Sequence, residues 1–86
     1  MTNNYESFRT RLEECHEWPC VYTFKFIIPQ DRLAELYAVI PEEHASLRPS
    51  RTGKFVSMTA SIHIEGSDEI IDIYEKVSRI EGAISL

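Results

Sequence analysis

The chain has 86 residues, a formal net charge of -5 and a sequence pI near 5.1. A domain of this size buries only about 60–65% of its unfolded surface, so it holds one modest core and gains from association. The acidic balance argues against general nucleic-acid or anionic-membrane binding, and no apolar run approaches the roughly 20 residues that span a bilayer.

The opening stretch, MTNNYESFRTRLEE, has neither a basic n-region nor an apolar h-region and does not read as a secretory signal. Residues 4–16 read as a helix. Tyr5, Phe8, Leu12 and Cys15 recur at steps of three and four and form one apolar stripe. Asn3 and Glu6 have the spacing of a capping pair, and Arg9 and Glu13 are an i,i+4 pair on the wet side. Trp18-Pro19 ends the helix, because a residue before proline is pushed to extended geometry. Cys15 and Cys20 bracket His16 in CHEWPC. A zinc site here lacks a fourth ligand and the spacing of a zinc knuckle. The plainer alternative has Cys15 ending a helix and Cys20 beginning a strand. Two cysteines make no disulfide framework and point to a reduced, cytoplasmic setting.

CVYTFKFII, residues 20–28, is a strand with bulk on both faces and therefore a central one. Tyr22, Phe24, Phe26 and Ile28 share one face; Val21, Thr23, Lys25 and Ile27 share the other. A helix of about ten residues follows, with Asp31 as its N-cap and Leu33, Leu36, Tyr37 and Ile40 as its buried stripe; Pro41 ends it. Residues 44–65 read as a hairpin with a longer loop: a short edge strand at 44–48, a turn at 50–54 and a strand at 55–65. In the last, Val56, Met58, Ala60, Ile62 and Ile64 alternate with Phe55, Ser57, Thr59, Ser61 and His63, which suits a sheet covered on one side only. A helix over 68–80 is capped by Ser67 or Asp68, with Ile70, Ile73, Tyr74, Val77 and Ile80 inward and the pairs Asp72–Lys76 and Glu75–Arg79 outward. Gly82 stops it, and 83–86 is a last strand.

After the first helix the order is βαββαβ. The expectation is an α+β, ferredoxin-like sandwich in which right-handed crossovers place both helices on one side and strands 20–28 and 55–65 are the central pair. The chain reads as one domain over 1–86, with residues 1–17 a helical extension. The stripe of Tyr5, Phe8 and Leu12 then lies across the open sheet face or packs in a homodimer.

Several residues also resemble a known family. Trp18-Pro19 with Tyr22-Thr23-Phe24-Lys25, and Arg48-Pro49-Ser50 with Gly53, Phe55 and Ser57, are similar to the pattern of the YbeD-like proteins, small bacterial proteins of unknown function. The resemblance covers roughly residues 12–86. It implies a ferredoxin-like fold similar to ACT regulatory domains. Ile28 stands where that family commonly has glycine, and segment 29–47 is shorter than in typical members, which bears on the loop after the first strand.

Arg48, Arg51 and Lys54 fall within seven residues with no acid among them, an unusual cluster in an acidic chain. With Ser50, Ser57 and Phe55, with Gly53 allowing close approach and with Lys25 joining from the neighbouring strand, this turn suits a phosphate or carboxylate. Its alternative is a solvated hairpin tip that protects an edge. RNA-binding domains of this topology stack bases on open-face aromatics, and only Phe55 lies there. The three glycines, at 53, 66 and 82, form no phosphate loop or dinucleotide fingerprint, and no nucleophile elbow occurs. Acylphosphatases share the fold but need an asparagine, and the only asparagines are Asn3 and Asn4. The reading is therefore a regulatory or binding module without catalytic residues, metal or cofactor, recognising a partner protein or a small anionic metabolite.

Overall fold

Two long ribbons set the architecture. A computed structural model describes residues 5–86. In it β1 (Cys20–Pro29) and β3 (Phe55–Ile64) pair antiparallel along their whole length, from Cys20 opposite Ile64 to Pro29 opposite Phe55. β2 (Ala45–Pro49) flanks β3 and β4 (Ile84–Ser85) flanks β1, both antiparallel, giving the sheet order β2-β3-β1-β4. With α1 (Glu6–Cys15), α2 (Leu33–Tyr37) and α3 (Ser67–Ser78), the order after α1 is βαββαβ. This is the α+β, ferredoxin-like arrangement that the sequence implies.

The sheet is covered on one side. Phe24, Phe26 and Ile28 of β1 lie opposite Ala60, Met58 and Val56 of β3, and all six are buried. Leu36, Ile40, Ile70, Ile71, Val77 and Ile80 close over them. Each large side chain sealed in this way contributes about 1.5–3 kcal/mol, against about 0–1 kcal/mol for an exposed ion pair. The core, not the surface charge pattern, therefore decides which face is roofed.

The helices differ from expectation in three places. The segment expected as one helix over 31–40 is α-helical only over Leu33–Tyr37. A 3-10 turn, Gln30–Arg32, precedes it, and Asp31 makes no capping bond. Past Tyr37, Val39 N–H bonds to Leu36 and the β-branched Ile40 stands before Pro41, which disfavours helix. Ile40 and Leu36 are nevertheless fully buried.

α3 starts after Gly66, which offers no side-chain cap, and neither Ser67 nor Asp68 fills that role. Ser67 donates instead to Glu13, and Asp68 accepts from Arg9. Glu69 reaches back to the Glu65 N–H at 3.0 Å. Asp72 and Lys76 pair at 2.9 Å, whereas Arg79 is already the closing residue of the helix and does not meet Glu75.

α1 does not cross the open face. Leu12 is buried in the common core, and the Phe8 ring meets Tyr74 of α3 edge-on at 5.3 Å. The expected Arg9–Glu13 pair gives way to two links with the start of α3. Arg9 binds Asp68, while Glu13 accepts from Ser67 Oγ and, at 3.1 Å, from Trp18 Nε1. Cys15, expected in the apolar stripe, is exposed, and the chain turns extended at His16. Asn3, expected to form a capping pair with Glu6, lies outside the described residues, and α1 begins at Glu6.

Candidate functional site

Because α1, α2 and α3 occupy one side, the other face of the sheet is left to solvent. Its side chains follow from the pairing register. Lys25 is opposite Thr59, and Thr59 is opposite Ser46; Ile27 is opposite Ser57, and Ser57 is opposite Arg48. Directly paired residues share a face, so these two rows bring Lys25, Ser46, Arg48, Ser57 and Thr59 together. They line a trough of about 540 Å³ with Leu47 and Leu86. By sheet spacings the Lys25 and Arg48 Cα atoms stand about 12 Å apart, a gap that two long cationic side chains close onto one anion.

The charge distribution singles out this face. All 14 acidic residues lie outside the four strands. Arg9, Arg32 and Lys76 pair with carboxylates. Among the described residues Lys25, Arg48, Arg51 and Lys54, on the sheet or at its hairpin tip, have no carboxylate partner, and on the helices neither do Arg11 and Arg79. A net charge of -5 thus hides an uneven surface: no acid lies within a strand, while four cations without carboxylate partners lie on the strands or their hairpin tip.

Of the residues expected at a site, Lys25, Arg48 and Ser57 come together in the trough. Ser50 and Gly53 build the turn instead. The Ser50 carbonyl accepts from Gly53 N–H at 3.1 Å, and its hydroxyl accepts from Phe55 N–H at 3.3 Å. Gly53 takes φ +77°, the left-handed region that favours glycine. Arg51 and Lys54 project from the tip outside the trough, and Phe55 stands at the end of β3, 40% exposed, opposite Pro29. Ser46 and Thr59 complete the polar lining. The alternation of Ala45, Leu47 and Pro49 with Ser46 and Arg48 is the signal for Ser46, and it needs the register of β2 on β3 to be read.

CHEWPC gathers rings, not ligands. His16 packs 5.7 Å from Trp18 and 5.6 Å from Tyr22. Among the described residues no three His, Cys, Asp or Glu side chains cluster as a metal site requires, and no helix is long and apolar enough to cross a membrane.

The fold and this face define a small α+β sandwich with an open, cation-bearing sheet. A family model described as "Protein of unknown function (DUF493)" matches residues 13–85, and the chain belongs to that family. It is 30% identical over 80 residues to a UPF0250 protein of Idiomarina loihiensis, across 85% of this chain and 91% of the relative. UPF0250 proteins of Edwardsiella ictaluri and Yersinia pestis are each 26% identical over 80 residues, across 85% of this chain and 92% of the relative. These matches bear out the resemblance to the YbeD-like proteins. No solved structure matches the chain.

Proposed function

We propose that this chain is a small regulatory module that recognises an anionic group, phosphate or carboxylate, on the open face of its sheet. The observation that carries this reading is the trough: two cations without carboxylate partners, three hydroxyls and no acid, in a chain whose acids all lie elsewhere. A volume of about 540 Å³ is within the range of metabolite sites, roughly 300–1,000 Å³. The lining holds no histidine, cysteine or carboxylate to act as a general base, which favours binding over turnover. Free Cys15 and Cys20 suit the cytoplasm. RNA is the weaker occupant, because Phe24 and Phe26 are sealed in the core and leave Phe55 without stacking neighbours.

Titration with inorganic pyrophosphate, followed by amide chemical shifts, tests the reading. Shifts are expected at Lys25, Ser46, Arg48, Ser57 and Thr59. The double change Lys25→Ala with Arg48→Ala should weaken binding at least about tenfold, a loss of about 1.4 kcal/mol. Arg51→Ala with Lys54→Ala should act less. If the tip pair abolishes binding and the trough pair does not, the site is the turn. If neither pair matters, the reading falls.

A further inference from the structure

Among the described residues one edge of the sheet is paired over only part of its length. β4 pairs with β1 only at Phe26 and Ile27, and the Leu86 N–H extends that line to the Lys25 carbonyl at 3.0 Å. In an antiparallel strand the N–H and C=O of one residue point the same way, and successive residues alternate. Lys25 therefore faces β4, and so do the backbone groups of Thr23 and Val21, while Tyr22 and Phe24 bond to β3. Among residues 5–86 nothing pairs with the Val21 and Thr23 edge. Four backbone donors and acceptors are left in line with β4, and Val21 is 66% exposed.

The vacant strand position is flanked on both faces. Beneath it lies a cleft of about 520 Å³, framed by Tyr5 and Phe8 of the α1 side, Tyr22 of β1, Tyr74 of α3, and Ser85 and Leu86. The Tyr22 and Tyr74 hydroxyls meet there at 3.3 Å. Above it is the open face with Lys25, and Leu86 borders both the cleft and the cationic trough. The family match begins at residue 13, so the part of α1 that supplies Phe8 to the cleft lies outside it.

We infer that this edge accepts an extended segment of a partner protein, about five residues long, in which apolar and acidic side chains alternate. Strand addition satisfies the Val21 and Thr23 backbone. A residue opposite Tyr22 or Phe24 shares their face and drops its apolar side chain into the aromatic cleft. A residue opposite Thr23 projects onto the open face, diagonal to Lys25 and within reach of a carboxylate. A second copy of the chain fits poorly. Symmetric pairing centred on Tyr22 would set the second copy's Pro19 opposite Lys25, where Leu86 already stands and where proline has no N–H to give. The inference shares only Lys25 with the proposed anion site; the backbone edge stands without it.

Amide exchange on the full chain reads this edge directly. In dilute free protein Val21 and Thr23 should exchange fast, while Tyr22 and Phe24, bonded to β3, are protected. The probes are synthetic seven-residue peptides in which glutamate alternates with phenylalanine, leucine or valine, compared with the same residues in block order. An alternating peptide is expected to slow Val21 and Thr23 by at least about tenfold and block peptides are not. Lys25→Ala should weaken the peptide about tenfold. Thr23→Pro, which deletes a donor facing away from β3, should abolish binding. The inference is overturned if the two amides are protected in dilute protein, if protection rises with protein concentration (which gives the edge to a second copy), or if no alternating peptide slows them. Pyrophosphate shifts at Arg48 and Ser57 without any peptide effect remove this inference and leave the anion site intact.

Discussion

Thr23 and Phe24 are neighbours in the chain and stand on opposite faces of β1. Phe24 is sealed, with Phe26 6.1 Å away on one side, Tyr22 4.8 Å on the other and Tyr74 of α3 above at 5.5 Å. Thr23 is exposed and its hydroxyl meets that of Ser61 across the strand at 2.9 Å. The contrast runs the length of the sheet. One face is apolar, aromatic and roofed; the other has hydroxyls and unpaired cations, with Glu65 at its far end held by His63 at 2.8 Å. The covered face is built to hold the fold, which leaves the open face free to carry charge at little cost to stability. A domain this small has no other large surface it can leave polar and rigid at once.

The largest expected effect sharpens that contrast. Phe24→Ala removes a ring from a close-packed cluster and should cost about 3–5 kcal/mol, enough to unfold much of a marginal domain. Thr23→Ala should stay within about 0.5–1 kcal/mol. Urea denaturation of the two variants measures both. Comparable losses would mean that the open face is covered in solution, by a second copy or another partner.

α1 belongs with the covered face, and Leu12 tests this. Leu12→Ala should cost about 2 kcal/mol, the low end for a buried leucine because α1 packs at the rim of the core. A loss below about 0.5 kcal/mol would make α1 an attachment and not a part of the core. Gly82 and Gly53 offer a smaller comparison between the two ends of the sheet. Both are left-handed, at φ +82° and +77°. Alanine at Gly53 meets open space and should cost only the conformational penalty, about 1 kcal/mol. At Gly82 its Cβ would come within 2.7 Å of the Pro29 ring, so the loss should be larger than at Gly53, about 1.5–2 kcal/mol. The added strain falls on the turn that leads β4 to its place beside β1.

The strands were legible because a period of two needs no knowledge of partners. Val56 to Ile64 and Tyr22 to Ile28 name their buried side outright. α3 was legible for the same reason at a period of 3.6. What failed were features that two elements decide together. Arg9 and Glu13 are well spaced for each other, yet both find better partners at Ser67 and Asp68, and no local rule anticipates a helix arriving from 54 residues away. The stripe of α1 was visible, but not the surface it would choose. The candidate site divided along the same line. Lys25, Arg48 and Ser57 were named by charge and hydroxyl, whereas Ser46 and Thr59 join them only through the register of three strands. Ser50 and Gly53, named as ligand groups, serve the turn, because a tight loop must first satisfy its own N–H groups.

The smallest effect concerns the seam between α1 and α3, and its sign follows from Glu13. Hydrogen bonds from Ser67 and then Trp18 hold the Glu13 carboxyl below the ordinary glutamate value of 4.5, against a smaller opposing effect of burial. The unfolded chain has no such bonds and binds the proton more readily. Stability from this group is therefore complete above about pH 4.5 and is lost as pH falls through the lowered folded-state value. Glu13→Gln keeps the shape, loses the charge and should flatten this acid limb while leaving stability near pH 7 only slightly reduced. Trp18 fluorescence reads the event locally, since its indole N–H is one of the two donors. Acid should change the Trp18 signal before the global transition in the wild type and not in Glu13→Gln. A Trp18 change that instead coincides with global unfolding in both proteins would mean that the seam and the core give way as one unit, and that α1 has no separate acid response.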